Sequence, residues 1–214
     1  MRSAIVAGIA VFAVAGCGSG GRQDAAEPSG SFPVQVTNAT FPAAQRLAEH
    51  TNLVISVRNV GKQAIPNLAV TICNTTCAYP APVGEGTSVA AFAQYLNQSG
   101  VASHSRPVWV VERPPGLCGY SCLNGGAGAN VSADANTWQG GRLGPGQTAT
   151  FKWRLTAVAP GKFVVAWEVA AGIYGKAKAV LADGSLPRGA FAVRIAHAPG
   201  KSYVNDKGQV VQGQ

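Results

Sequence analysis

Strict alternation of apolar and polar residues is the feature that most constrains the fold of this 214-residue chain. At 151–155, Phe151, Trp153 and Leu155 alternate with the cations Lys152 and Arg154. A period of two is typical of a strand with one buried face, because successive side chains point to opposite faces of a sheet. The same pattern recurs at 53–58, 68–72, 163–170 and 191–196.

Turns rich in Gly, Pro and Asn separate these segments. The sequence NVGK at 59–62 follows the segment 53–58, and APGK at 159–162 lies between the segments 151–155 and 163–170. Short strands joined by such turns predict an all-β fold, an antiparallel β-sandwich. The run at 108–111 predicts a further strand, and its neighbour Pro107 indicates an edge or a strand start because proline has no N–H to donate. Only 42–50 fits a helix, of one or two turns.

Two stretches are similar to the CARDB type of Ig-like domain: LVISVRNVGKQAIPNLAVTI at 53–72 and RLGPGQTATFKWRLTAVAPGKFVVAWEV at 142–169. The matching turn positions are Asn59, Gly61, Leu143, Pro145, Gly146, Pro160 and Gly161. The resemblance implies an Ig-like antiparallel β-sandwich in a family associated with bacterial surface and adhesion-related proteins. Turn and core residues carry this match, so it is specific for the fold and says little about function. The chain departs from the family between Cys73 and Trp138, where we expect a long disulfide-containing insertion, about 74–137.

The N-terminus resembles a bacterial lipoprotein signal. Arg2 precedes an apolar stretch at 4–15, which is too short to span a bilayer but suits a signal peptide. The stretch closes with the lipobox-like sequence VAGC at 14–17. The resemblance implies cleavage before Cys17, a diacylglyceryl thioether on its sulfur, and anchoring to the extracytoplasmic side of the cell membrane. The alternative is an ordinary secretory signal in which Cys17 is incidental.

These observations divide the chain into four segments. They are a signal peptide at 1–16, a flexible tether at 17–33, the sandwich at 34–198 and a tail at 199–214. The tether contains many Gly and Ser residues and has no hydrophobic periodicity. The tail is short and polar, which predicts either a small hairpin or disorder.

Two C-x-x-x-C pairs lie in or beside the insertion: Cys73 with Cys77, and Cys118 with Cys122. The envelope outside the membrane is oxidising, and zinc ribbons prefer C-x-x-C, so we predict two disulfides rather than a zinc site. Three pairings are open. Chain entropy favours bridges across the insertion, whereas the short spacing favours local ones. We expect the local pairs.

No catalytic, metal or cofactor site stands out. His50, His104 and His197 are isolated and the acidic residues are dispersed, so neither a metal cluster nor a carboxylate pair is indicated. No G-x-S-x-G, P-loop or dinucleotide-binding motif occurs. We therefore predict no enzyme, no metal and no cofactor. The net charge of +8 is spread thinly. This argues against a nucleic-acid partner and supports at most weak attraction to anionic envelope polymers or headgroups.

The aromatic residues divide into two groups. Trp153 and Trp167 stand on the apolar phase of their segments, so we predict that they lie in the core. Trp138 directly follows the insertion and is the one tryptophan that we expect on a partner surface. Three tyrosines of the insertion would extend this surface: Tyr79, Tyr95 and Tyr120.

The sequence therefore predicts a lipid-anchored, non-catalytic envelope protein. Its insertion would serve as a surface for display or for interaction with a protein or wall polymer, because loops on a rigid sandwich commonly carry binding sites. The alternative is a lipoprotein that binds a small ligand or glycan for a transporter or sensor. That alternative requires a concave apolar pocket.

Overall fold

The computed structural model describes residues 26–73, 77, 91–95, 105–115, 137–199 and 202–212. Thirteen strands and no helix lie within these ranges. The strands are β1 (Gly30–Thr40), β2 (Ala44–Leu47), β3 (His50–Asn59), β4 (Ile65–Cys73), β5 (Ala91–Tyr95), β6 (Ser105–Arg113), β7 (Thr137–Leu143), β8 (Thr148–Ala157), β9 (Gly161–Ala170), β10 (Ala177–Val180), β11 (Arg188–Pro199), β12 (Ser202–Val204) and β13 (Val210–Gln212).

Most of these strands form two sheets that pack as the predicted β-sandwich. One sheet has six strands in the order β10-β1-β3-β8-β6-β5, and the other has five in the order β2-β11-β9-β4-β7. Neighbouring strands are antiparallel except in the pairs β1 with β10 and β2 with β11. Both exceptions include strands that lie at the edges of the sheets. The all-β prediction is therefore confirmed.

The core lies between the two sheets and is built from the alternating residues. On β8, Phe151, Trp153 and Leu155 are fully buried, whereas Lys152 and Arg154 face solvent. The corresponding positions on the other long strands follow the same rule: Leu53, Ile55, Val57, Val70, Ile72, Val165, Val169, Val193 and Ile195 are buried. The period of two thus predicted both the strands and the face that each one buries.

The segment 42–50 is not the predicted helix, because it contains β2. Gln45 of β2 is buried, and its side-chain oxygen accepts a hydrogen bond from the indole N–H of Trp109 at 2.7 Å. Its amide in turn donates to the carbonyl of Pro42 at 2.9 Å. Ala48 then takes a left-handed φ of 60°, outside the helical range. A tertiary hydrogen bond has overridden a weak local helix preference.

Asn59 joins two turns at one end of the sandwich. Its side-chain amide donates to the carbonyls of Gln63 at 2.8 Å and Leu143 at 3.0 Å. Its side-chain oxygen accepts from the N–H of Gly61 at 2.9 Å, and its carbonyl accepts from Gly146 at 2.8 Å. This buried asparagine therefore fixes two of the three turns on which the CARDB resemblance rested.

The predicted insertion is partly integral to the six-stranded sheet. β6 pairs with β8 on one side and with β5 on the other, so it is not an edge strand in the described part of the chain. Val108 and Trp109 of β6 are fully buried. Pro107 lies opposite Ala93, where the register of β5 and β6 shifts. An irregularity of this kind tolerates a residue that has no N–H.

Of the two predicted boundaries of the sandwich, only the N-terminal one shifts. β1 begins at Gly30, and Glu27 is already buried, so order reaches well into the segment expected to be tether. At the other end, β11 ends at Pro199, beside the expected boundary, and the tail contains the hairpin of β12 and β13, one of the two alternatives expected for it. In the described ranges, no helix has the length and apolar character needed to cross a membrane.

Candidate binding groove

An open groove of about 640 Å³ lies beside the first half of β1. Its walls are mainly apolar, and it is open to solvent. Ten residues line it: Val34, Gln35, Val36, Val60, Trp167, Leu181, Ala182, Asp183, Pro187 and Arg188. They come from strands β1 and β9, from the first residue of β11, from the turn that follows β3 and from the 181–187 loop. Residues of both sheets and two connecting segments therefore form the groove.

The groove exists because β10 is much shorter than β1. β10 pairs with β1 only from Gly30 to Pro33, and β1 then continues to Thr40 with β3 alone. Within the described ranges, no strand lies on the other side of β1 beyond Pro33. The 181–187 loop departs at this point, and its departure leaves the edge of β1 open.

The pleat of β1 determines which backbone groups face this open edge. The carbonyl of Pro33 accepts a hydrogen bond from Val60 N–H at 3.2 Å, so it points toward β3. Backbone groups of successive strand residues point to alternate sides, so those of Gln35 also face β3. The N–H and C=O of Val36 therefore point toward the groove. A register shift between Val36 and Asn38 ends the regular stretch.

One acid and one base stand at the rim of the groove. Asp183 accepts hydrogen bonds from the Ser185 hydroxyl at 2.6 Å and the Ser185 N–H at 2.9 Å. These bonds lower the pKa of the Asp183 carboxyl, which stays ionised at neutral pH. Arg188 opens β11 in register with Glu168. The floor is apolar: Trp167 is almost fully buried, while Val60 is half exposed.

A second polar cluster lies on the outer face of the six-stranded sheet. His50 Nδ1 lies 2.7 Å from Glu112 Oε1, and Arg154 Nε lies 3.0 Å from Glu112 Oε2. Thr156 donates its hydroxyl to Glu112 and lies 2.9 Å from His50 Nδ1. Burial raises the pKa of Glu112, but the Thr156 hydrogen bond and the nearby His50 and Arg154 lower it further, so the net shift is downward.

This cluster lacks the geometry of a nucleophile relay. In such a relay the histidine contacts the nucleophile through one ring nitrogen and the carboxylate through the other. Here Thr156 and Glu112 both contact Nδ1 of His50. Thr156 also donates directly to the carboxylate, so the histidine does not stand between them. The contacts are those of a surface ion-pair network.

One of the two predicted disulfides lies in the described part of the chain. Cys73, the last residue of β4, is bonded to Cys77, with Cα atoms 5.0 Å apart. The expected local pairing is therefore confirmed for this pair. Cys118 and Cys122 lie outside the described residues, and their pairing remains a prediction. In the described ranges, no group of three His, Cys, Asp or Glu side chains could hold a metal ion.

The prediction that Trp138 lies on a partner surface is wrong. Trp138 is fully buried, and its ring packs edge to face on Trp153 with centroids 5.3 Å apart. Its strand shows no apolar alternation because the next inward position is Gly140, where a Cβ would come within 2.9 Å of the Phe151 ring. Trp153 and Trp167 lie in the core as predicted.

The other predicted site residues are only partly described. Cys17, Tyr79 and Tyr120 lie outside the described residues. Tyr95 is the last residue of β5 and lies in register with Ser105, but the structure does not describe its side chain. Among the described side chains, none of the residues predicted for the partner surface lies on the exterior of the domain.

The groove was missed from the sequence although a signal was present. Phe32, Val34 and Val36 repeat with a period of two, and this pattern could have placed β1 before residue 34. The open edge had no such signal, because it results from the length difference between β1 and β10. That difference appears only when the strands are paired.

No protein-family model and no curated protein matches the chain. Among solved structures, it is similar to a CARDB domain from Pyrococcus furiosus crystallised with di-metal ions. That likeness has 9% identity and a TM-score of 0.38, over 78% of this chain and 93% of the other. It is also similar to a PapD-like domain of human CEP192, with 11% identity and a TM-score of 0.39, over 77% and 86%. At these values neither structure bears on what this chain binds.

Proposed function

We propose that this chain is a lipid-anchored, non-catalytic interaction module of the cell envelope that binds an extended segment of a partner protein. The groove beside β1 carries the proposal, because it combines an open strand edge with an adjacent apolar floor. The lipobox-like sequence ending at Cys17 supports the anchoring. The geometry of the His50 cluster and the dispersed acidic residues support a non-catalytic role.

The partner segment would add a strand to the edge of β1. The N–H and C=O of Val36 would pair with its backbone, as in other cases of strand addition to an open edge. An apolar side chain of the partner would enter the groove over Val34 and Trp167. Asp183 and Arg188 at the rim would favour a segment that carries charges of both signs.

Two variants and one matched control test this site. Val60→Asp places a charge in the groove at a half-exposed position, and Val158→Asp does the same at the opposite end of the sandwich, where Val158 is 43% exposed. Val36→Pro removes the outward N–H without breaking a bond to β3, which an edge strand tolerates. All three proteins should therefore fold, as circular dichroism would verify.

The probe is a set of peptides selected from a displayed library against the unmodified protein. We expect Val60→Asp and Val36→Pro to weaken peptide binding at least about tenfold in calorimetric titration, while Val158→Asp has little effect. A tenfold change is the size of one strong hydrogen bond or one buried apolar side chain. Equal binding by all three variants would contradict the site.

A small-ligand or glycan-binding lipoprotein is the second candidate, favoured by the groove volume. About 640 Å³ lies within the range of roughly 300–1,000 Å³ that small-molecule sites occupy. The open groove beside an unpaired strand edge favours an extended chain over an enclosed ligand. A thermal-shift screen with sugars and small apolar acids tests this candidate: a shift that Val60→Asp abolishes would favour it.

The lipid anchor is tested independently. We expect a labelled fatty acid to become attached to the full chain during expression in a bacterium and to be lost in Cys17→Ser. Label retained in Cys17→Ser, or absent from the unmodified chain, would contradict the anchor and leave the groove test unaffected.

A further inference from the structure

We propose that one end of the sandwich docks on anionic lipid headgroups. The docking surface, called here the anchor-end patch, consists of Lys62, Ile173, Tyr174, Lys176 and Lys178. This inference rests on the proposed lipidation of Cys17 and adds a second, non-covalent contact with the bilayer. The two acyl chains of a diacylglyceryl group already anchor a protein stably, so this second contact would orient the domain on the bilayer.

The N-terminal segment and the loop between β9 and β10 lie side by side at this end. The buried carboxylate of Glu27 accepts hydrogen bonds from the N–H groups of Tyr174 at 2.8 Å and Ala177 at 2.6 Å. Gly30 N–H donates to the carbonyl of Lys176 at 3.0 Å. Gly172 must lack a side chain, because a Cβ there would overlap the Glu27 carboxylate. The patch is thus fixed beside the point where the chain enters the domain.

Two further contacts bring the remaining lysines to the same end. Lys178 of β10 is in register with Ser31 of β1. The turn that carries Lys62 packs on β1, since a Cβ at Gly61 would lie 3.0 Å from the Pro33 ring. The three lysines therefore surround the first residues of β1.

The length of chain between the anchor and the domain keeps this end near the membrane. About ten residues separate Cys17 from Glu27. Even a fully extended chain of that length spans no more than about 35 Å. Glu27 cannot lie farther than that from the anchor, so the anchor-end patch is the part of the described fold tethered nearest to the membrane.

Charge complementarity identifies anionic headgroups as the partner. All three lysines are exposed, and in the described part of the chain no carboxylate forms an ion pair with them. The nearby carboxylates of Glu27 and Asp183 are occupied by hydrogen bonds from backbone N–H groups and from Ser185. The three lysines outnumber these two carboxylates, so the patch keeps a net positive charge.

Two apolar side chains complete the patch. Ile173 is 37% exposed and Tyr174 is 38% exposed, and both lie in the loop fixed by Glu27. An aromatic and an aliphatic side chain beside several lysines is the composition of a surface that lies in the headgroup region. Together the five residues fit an anionic bilayer better than a soluble polyanion, because a soluble polyanion has no apolar region for Ile173 and Tyr174 to contact.

The experiment uses the mature chain from residue 17 with Cys17→Ser, which carries no lipid, and sedimentation with two kinds of vesicle. We expect it to bind vesicles that contain phosphatidylglycerol and not vesicles of phosphatidylcholine alone. Each lysine should contribute about fivefold, so Lys62→Gln, Lys176→Gln and Lys178→Gln together should reduce binding by about 100-fold. Ile173→Ser should weaken it further at high salt, where the apolar contact remains.

A matched control carries the same loss of charge elsewhere. Lys152→Gln, Lys162→Gln and Lys207→Gln together remove three exposed lysines outside the patch. Equal binding by the two triple variants would overturn the inference and leave only net charge as the cause. Tighter binding to a soluble polyphosphate than to the vesicles would also overturn it, in favour of a wall polymer. Lipidation is read separately by fatty-acid labelling of Cys17, so failure of the anchor and failure of the docking surface are distinguishable.

Discussion

The centre and the N-terminal edge of the six-stranded sheet are held in different ways. At the centre, β3 and β8 bury large apolar side chains at every second position, among them Ile55, Phe151 and Trp153. At the edge, residues 26–30 have no apolar alternation, and one buried carboxylate, that of Glu27, binds two backbone N–H groups. The first region is held by many buried side chains, whereas the second is held by one buried side chain and by backbone hydrogen bonds such as that from Gly30 to Lys176.

The largest expected effect comes from breaking the centre. Trp153→Ala should lower the free energy of unfolding by about 3–5 kcal/mol, because it removes a fully buried ring and leaves a cavity. Guanidinium unfolding followed by circular dichroism measures this change. Lys152→Ala, on the outward face of the same strand, should change it by less than about 0.5 kcal/mol. Similar losses in the two variants would mean that the alternation does not define the core.

Removing the Glu27 contact at the edge should lower the free energy of unfolding by less than Trp153→Ala does, and it should affect a smaller part of the sheet. Glu27→Ala leaves two N–H groups without their charged acceptor, so we expect a loss of about 2–3 kcal/mol. Hydrogen exchange should accelerate at Tyr174 and Ala177 before it does in β8. Glu49→Ala is the control, since Glu49 accepts one N–H, that of Arg46, at an exposed site. Exchange that accelerates equally in β8 would show that the edge unfolds together with the centre.

A covalent link provides a third way of holding a strand end. Removal of the bond between Cys73 and Cys77 by the double change to serine should cost about 2 kcal/mol, because the closed loop is short. The two changes are made together so that no free thiol remains. Urea unfolding of the oxidised and double-serine proteins gives the difference. Equal stability would mean that the bridge adds nothing to the end of β4.

The smallest effect is expected at the surface network of Glu112. Its pKa is lowered in the folded protein, so its contribution is present above the ordinary carboxyl pKa and is lost as the pH falls through the folded pKa. Partial exposure limits the contribution to less than about 1 kcal/mol. The difference in unfolding free energy between the unmodified protein and Glu112→Gln should shrink between pH 7 and pH 3. A difference that grows toward pH 3 would contradict this sign.

The same contrast explains what the sequence could predict. The strands at Leu53, Phe151 and Phe163 were predictable because a repeated pattern survives in the sequence alone. Trp138 was misplaced because Gly140 occupies an inward position without a side chain. The segment 42–50 was misread because Gln45 is fixed by Trp109, which lies far away in sequence. Features fixed by one long-range contact leave no local pattern.

The groove belongs to this second kind of feature. Its apolar residues were visible, but the open edge of β1 depends on where β10 stops. The local Cys73–Cys77 pairing was predictable because four residues of spacing already limit the geometry. The buried role of Glu27 had no signal, because a carboxylate bound by backbone N–H groups needs no partner of a particular type.

The chain enters the domain through β1, and the direction of this strand determines how the fold responds to tension on the N-terminal segment. A pull on Ala26 in the direction of β1 would act on a strand that is hydrogen bonded lengthwise to β10 and then to β3. Force applied in this direction shears the ladder, so its bonds resist together instead of opening one at a time. The Glu27 contact lies first in line and would yield before the sheet does. A module attached by its N-terminus could thus lose its edge contact under load while β1 stays paired with β3.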